Sequence, residues 1–149
     1  MLEDQLAKDL KTSMLAGDSA RTETLKMLKS ALLYKAVELG VRDSGLTEEQ
    51  VIDVLSKESK KRAEVATMYE KAGRAEQAKA EKFEQEIISQ YLPKQASDEE
   101  IITAIDQAIA KMGDVSMQQM GQVIGAVKAQ LGQTADGSRV ATLVKEKLS

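Results

Sequence analysis

Apolar side chains recur at three- and four-residue spacing along nearly the whole of this 149-residue chain, and no stretch of four to eight residues alternates apolar with polar. A strand needs the two-residue period and a helix the 3.6-residue one, so the pattern admits helices only. Nine glycines and a single proline leave few interruptions. The sequence therefore predicts an all-α fold.

Leu2, Leu6, Leu10 and Met14 make the stripe of a first helix, which Gly17 should end by entering the left-handed region. From about Ser19 to Leu39 a second helix carries one stripe of Leu25, Leu28, Leu32, Ala36 and Leu39 and another of Met27, Ala31 and Tyr34. So wide an apolar face predicts the most buried helix of this half. Thr47 and Gln50 have the spacing of a capping box, in which hydroxyl and amide reciprocally satisfy backbone amides. A third helix should begin there. Ala63 is the only hydrophobic residue between Ser56 and Glu64, which predicts a middle part that runs along the surface or projects from it. After Gly73 a fourth helix is expected from about Ala75 to Leu92, with Ala75, Ala78, Phe83, Ile87 and Tyr91 on one side. Together these two helices read as a long antiparallel hairpin.

Pro93 biases Leu92 away from helix, and the domain boundary is placed there, giving an N-terminal helical domain over 1–92 and a C-terminal one over 93–149. Two more box-like sequences open at Ser97 and Ser116, and Asp136 is positioned to cap the last helix. Three stripes follow: Ile101, Ile105, Ala108 and Met112; Met117, Met120, Ile124, Val127 and Leu131; and Val140, Leu143, Val144 and Leu148. A small three-helix bundle buries all of them.

The residue inventory narrows the chemistry. With no Cys and no His, disulfides, thiolate nucleophiles, Cys/His zinc sites and imidazole-based catalysis are excluded. A cysteine-free chain suits a reducing compartment. Met1, Leu2, Glu3 and Asp4 lack the charge and hydrophobicity of a secretory signal, and no apolar run approaches membrane-spanning length, so the expected location is cytoplasmic. The carboxylates sit in first turns, as Glu48, Glu49, Asp98, Glu99 and Glu100 do, or at pairing distance from cations, as Glu58 does from Arg62. Dipole complementation and surface pairing account for them, and no catalytic residue, metal ligand or cofactor is expected.

Three features bear on binding. Gly121 and Gly125 lie within a helical run, where each costs about 1 kcal/mol relative to Ala, and close helix packing is the expected reason. The start of the last helix, with Arg139 nearby, could receive a phosphate, although a plain cap is the simpler role. Lys57, Lys60 and Lys61 share one helix face and make a basic patch that Glu58 and Glu64 dilute, so a solvated face is the first reading. Of Tyr34, Tyr69, Tyr91 and Phe83 the core should claim at least two, which leaves nucleic-acid contact to backbone and shape. Met112, Met117 and Met120 are read as core filling.

Several stretches carry a likeness. They are Arg21-x-x-x-Leu25-Lys26-x-Leu28-Lys29-Ser30-Ala31-Leu32, Tyr91-Leu92-Pro93-Lys94-Gln95, Met120-Gly121-x-Val123-Ile124-Gly125, and Ala135-Asp136-Gly137 followed by Val140, Val144 and Lys145-Glu146-Lys147-Leu148. In order, spacing and length the chain resembles the YqeY family, also called GatB/YqeY-domain proteins. The resemblance implies a helical N-terminal domain with a hairpin and a C-terminal part similar to the tail of the B subunit of glutamine-dependent tRNA amidotransferase. In that enzyme the tail helps to hold tRNA, while ammonia release, ATP use and transamidation belong to other domains, which this sequence lacks. A label of carbon-nitrogen ligase activity with glutamine as amido donor would thus attach by homology.

Two functions follow. One is a non-catalytic accessory or tRNA-binding module, with tRNA or an amidotransferase-linked protein as partner and Lys128, Arg139 and Lys145 as phosphate contacts. The other is a protein-interaction adaptor that uses the polar middle of the hairpin and a groove between the helical parts. A self-sufficient amidotransferase ranks third. The formal charge of −3 divides as −2 over 1–92 and −1 over 93–149, so neither half is a dedicated basic domain.

Overall fold

A computed structural model describes all residues from Met1 to Ser149. Its seven α-helices fall into two compact units, Met1–Leu92 and Pro93–Ser149, and the fold is all-α. No helix is long and apolar enough to cross a membrane.

The first unit contains α1 (Leu2–Leu15), α2 (Ser19–Glu38), α3 (Glu48–Lys71) and α4 (Ala75–Ser89). Gly17 ends α1 at φ 72°, and Asp18 then caps α2 by accepting from the Arg21 amide at 3.2 Å. The Thr47 box forms in full: the Gln50 amide donates to the Thr47 hydroxyl at 3.2 Å, and Gln50 Oε1 accepts from the Thr47 amide at 2.9 Å. Between α3 and α4 the chain reverses through Gly73 at φ 73°, where the Arg74 amide closes a Schellman bond to the Tyr69 carbonyl at 2.8 Å. Leu6, Leu25, Leu28, Leu32, Val51, Leu55, Ile87, Ile88 and Tyr91 form the core. Where α4 was expected to reach Leu92, it stops at Ser89, and the amides of Gln90, Tyr91 and Leu92 bond three residues back. Pro93 disfavours helical backbone at Leu92, and the last turn tightens accordingly.

Two expectations for this unit are corrected. Of the two stripes on α2, Leu25, Leu28, Leu32 and Ala36 are buried, but Met27, Tyr34 and Leu39 are exposed and Ala31 is half-buried. The helices that pack on α2 are α1, α3 and α4, and they cover its second stripe only in part, at Ala31 and beneath Met27. The middle of α3, expected to run along the surface or project from it, instead buries Arg62, which is 4% exposed, and Ala66.

The second unit contains α5 (Asp98–Met112), α6 (Met120–Leu131) and α7 (Gly137–Leu148), which pack on one another. Ile101, Ala104, Ile105, Ala108, Val123, Val127, Val140, Leu143 and Val144 form their core. Ser97 accepts from the Glu100 amide at 3.1 Å, making a cap rather than a reciprocal box. The Ser116 box does form, but it opens a 3-10 turn over Met117–Gln119 that precedes α6 and leaves Met117 exposed rather than inward. Asp136 caps α7 as expected, accepting from the Arg139 amide at 3.3 Å.

Candidate nucleic-acid interface

In the second unit, two of the three expected phosphate contacts, Lys128 and Arg139, are placed at or beside the first turn of α7. Lys128, in the last turn of α6, extends over the first residue of α7, with its Nζ 3.1 Å from where a Cβ on Gly137 would stand. Arg139 lies in the first turn of the same helix. Lys145 is exposed but sits six residues further along α7, roughly 9 Å along the axis and a third of a turn round. It belongs to a different face.

Arg139 is already engaged. Its Nε donates to Asp98 Oδ1 at 2.9 Å and its Nη2 to Asp98 Oδ2, a two-pronged pair that links α7 to α5. Hydrogen bonding from Arg139 holds the Asp98 carboxyl below the usual carboxylate range. Since the Asp136 carboxylate also accepts from the first turn of α7, the helix start serves as an ordinary N-terminus with its own internal anions.

The glycines of α6 overturn a sequence expectation. Gly121 and Gly125 are exposed, and a Cβ built on either would meet nothing within 4 Å. No neighbouring helix approaches them, so packing does not explain residues that weaken the helix by about 1 kcal/mol each. With Lys128 they occupy positions i, i+4 and i+7, a single face of α6 that is smooth at one end and cationic at the other.

In the first unit Lys57, Lys60 and Lys61 lie on the outer side of α3. Lys57 pairs with Asp53 at 3.0 Å, Lys60 is also engaged, and Lys61 is exposed with no ion pair. Lys57 borders a cleft of about 230 Å3 lined by Ala31, Tyr34 and Lys35 of α2 and Asp53, Val54 and Glu58 of α3. Tyr34 stands on its wall 77% exposed. Sequence reasoning missed this ring by giving its stripe to the core. The wide apolar face of α2 was a signal that could have been read the other way, as a face left uncovered.

Sequence reasoning also took Glu58 and Arg62 for a surface pair. The Arg62 guanidinium is instead buried, donating to Glu58 Oε2 at 2.5 Å, to the Glu58 carbonyl at 3.2 Å and to Glu84 Oε2 on α4 at 3.2 Å, with Met27 Sδ 3.9 Å from Nη2. Every contact is internal, so Arg62 joins α2, α3 and α4 and offers no charge to a ligand. A second internal bond, from the Tyr91 hydroxyl to Asp9 Oδ2 at 2.5 Å, ties the turn that follows α4 to α1. Burial, reinforced by Asp9, pushes the Tyr91 phenol up to about 12.

A family model described as Yqey-like protein matches residues 3–148. The chain belongs to the YqeY family. Comparison with curated proteins yields no match. The YqeY match takes in both units, and with them the α6 face, the Arg139–Asp98 pair and the α2–α3 cleft.

Proposed function

We propose that this YqeY-family protein is a non-catalytic, cytoplasmic accessory module that binds tRNA in association with glutamine-dependent tRNA amidation. The resemblance to the amidotransferase B-subunit tail is what suggests a carbon-nitrogen ligase label for it. The observation that carries this reading is the open face of α6. Two exposed glycines that no packing requires let a phosphate backbone come closer than any side chain would allow, and Lys128 stands at the end of the strip to meet its charge. Arg139 and Lys145 are secondary contacts, the first becoming available when Asp98 yields to a phosphate. With six cations against seven anions over 93–149, the grip is local and salt-sensitive. Titrating tRNA binding by the whole chain against salt tests the reading, and absence of binding at low salt overturns it. Glutamine, ATP and mischarged tRNA added to the pure protein should give no amidated product.

The adaptor reading keeps one supporting observation, the uncovered side of α2, where Leu33 and Val37 lie 52% and 56% exposed one turn apart. An amidotransferase-linked protein docking there would lose affinity on Leu33→Ser and Val37→Ser, measured by co-sedimentation.

A further inference from the structure

The cleft between α2 and α3 sets an exposed aromatic ring beside cations and carboxylates. Its wall is the exposed ring of Tyr34, its apolar lining is Ala31 and Val54, and its cations are Lys57 and Lys35, the latter paired with Glu38 at 3.0 Å, with Lys61 one turn beyond Lys57 on the same face of α3. Two carboxylates complete it. Asp53 is held through Oδ2 by Lys57, and Glu58 through Oε2 by Arg62, which leaves one oxygen of each to accept a further hydrogen bond. At about 230 Å3 the cleft is smaller than the roughly 300–1,000 Å3 of pockets that take drug-sized molecules, and it suits one planar ring system. Of the four aromatic residues, Tyr91 is buried, Tyr69 is half-buried and Phe83 lies outside the cleft, so Tyr34 alone offers a ring face within it.

We propose that this cleft receives one unpaired nucleotide of an RNA strand, its base stacked on Tyr34 and its flanking phosphates against Lys57 and Lys61. Stacking on an exposed aromatic and charge contact with flanking lysines is the usual combination for single-stranded nucleic acid. The free oxygens of Asp53 and Glu58 accept from an exocyclic base amine, a group that base pairing would otherwise occupy. Exposed pairs such as Lys57–Asp53 hold weakly, so a phosphate can draw Lys57 away. A peptide would use the ring but has no need of the paired lysines beside it. The proposal rests on the reading of the chain as an RNA binder and extends it from backbone contact by α6 to recognition of a base by the other unit.

The test is anisotropy of a fluorescent single-stranded RNA hexamer with the full-length chain at low salt, beside the same hexamer annealed into a duplex. The single strand should bind more tightly than the duplex. Tyr34→Ala should raise its Kd about tenfold, and Tyr34→Phe should restore wild-type binding, since the ring and not the hydroxyl carries the stack. Lys57→Ala and Lys61→Ala should each flatten the salt dependence by about 0.7 in the log-log slope. All three side chains are exposed, so the variants fold as the parent does. Equal binding of strand and duplex, or unchanged binding by Tyr34→Ala, overturns the proposal. If whole tRNA still binds and Lys128→Ala weakens it while Tyr34→Ala leaves the hexamer unaffected, the cleft alone is refuted; if neither RNA binds, both readings fall.

Discussion

Arg62 on α3 reaches Glu84 on α4 through Nε at 3.2 Å, and with Glu58 on its other side the guanidinium sits 4% exposed between two carboxylates. Removing the cation would leave both acids beside an apolar interior and open a gap under Met27. Losing one member of a buried pair costs about 3–5 kcal/mol, and because both acids keep partial contact with water, Arg62→Ala should fall near 3 kcal/mol. Urea denaturation checks this. The double variant Arg62→Met with Glu84→Gln should recover part of the loss, because it removes a charge along with its partner.

Tyr91 and Asp9 predict an alkaline limb. Burial holds the folded phenol at about 12 against 10.0 for the ordinary value. The unfolded chain therefore releases its proton first as pH rises. The contribution is fully present below pH 10 and is lost as pH climbs through 12, because the native state then holds the extra proton. In melting curves taken from pH 8 to 12, Tyr91→Phe should be less stable at pH 8, where Asp9 loses its donor, and should decline less steeply above pH 10.

The α6 glycines separate stability from binding. Gly121→Ala and Gly125→Ala should each stabilise the protein by about 1 kcal/mol, since the added methyl meets no neighbour and the helix gains propensity. The same variants should weaken tRNA binding by holding the phosphate backbone off the helix. Thermal melts and a binding titration on one preparation measure both effects.

The Arg139–Asp98 pair predicts a gain. Asp98→Asn keeps the size of the side chain but releases the guanidinium, so tRNA should bind more tightly and with a steeper salt dependence. Arg139→Ala should do the opposite. Both residues are about half exposed, and neither change should move the melting temperature appreciably.

Local chemistry was well written in the sequence. The Thr47–Gln50 box, the Asp136 cap and the left-handed turn at Gly17 are each decided by residues within four positions of one another, and each forms. Less legible was which apolar or polar surface would be covered. Met27 and Tyr34 have the spacing of a core stripe and lie exposed, whereas Arg62 has the composition of a surface residue and lies inside. The six lysines and arginines proposed as contacts were visible as charges, but the partner that holds Arg139 was not. Asp98 is 41 positions from Arg139 in the chain, and no periodicity reports such a neighbour.

By itself, then, the sequence determined that the chain is helical, where most helices begin, and that thiol and imidazole chemistry are impossible, because these depend on residue identity and short-range backbone bonding. The tertiary structure alone decided that α2 keeps one stripe uncovered, that the α6 glycines face open space and that Tyr34 shares a cleft with Lys57. Burial is a property of neighbours: a stripe becomes core only where another element packs closely against it, and in these places the packing is partial or absent.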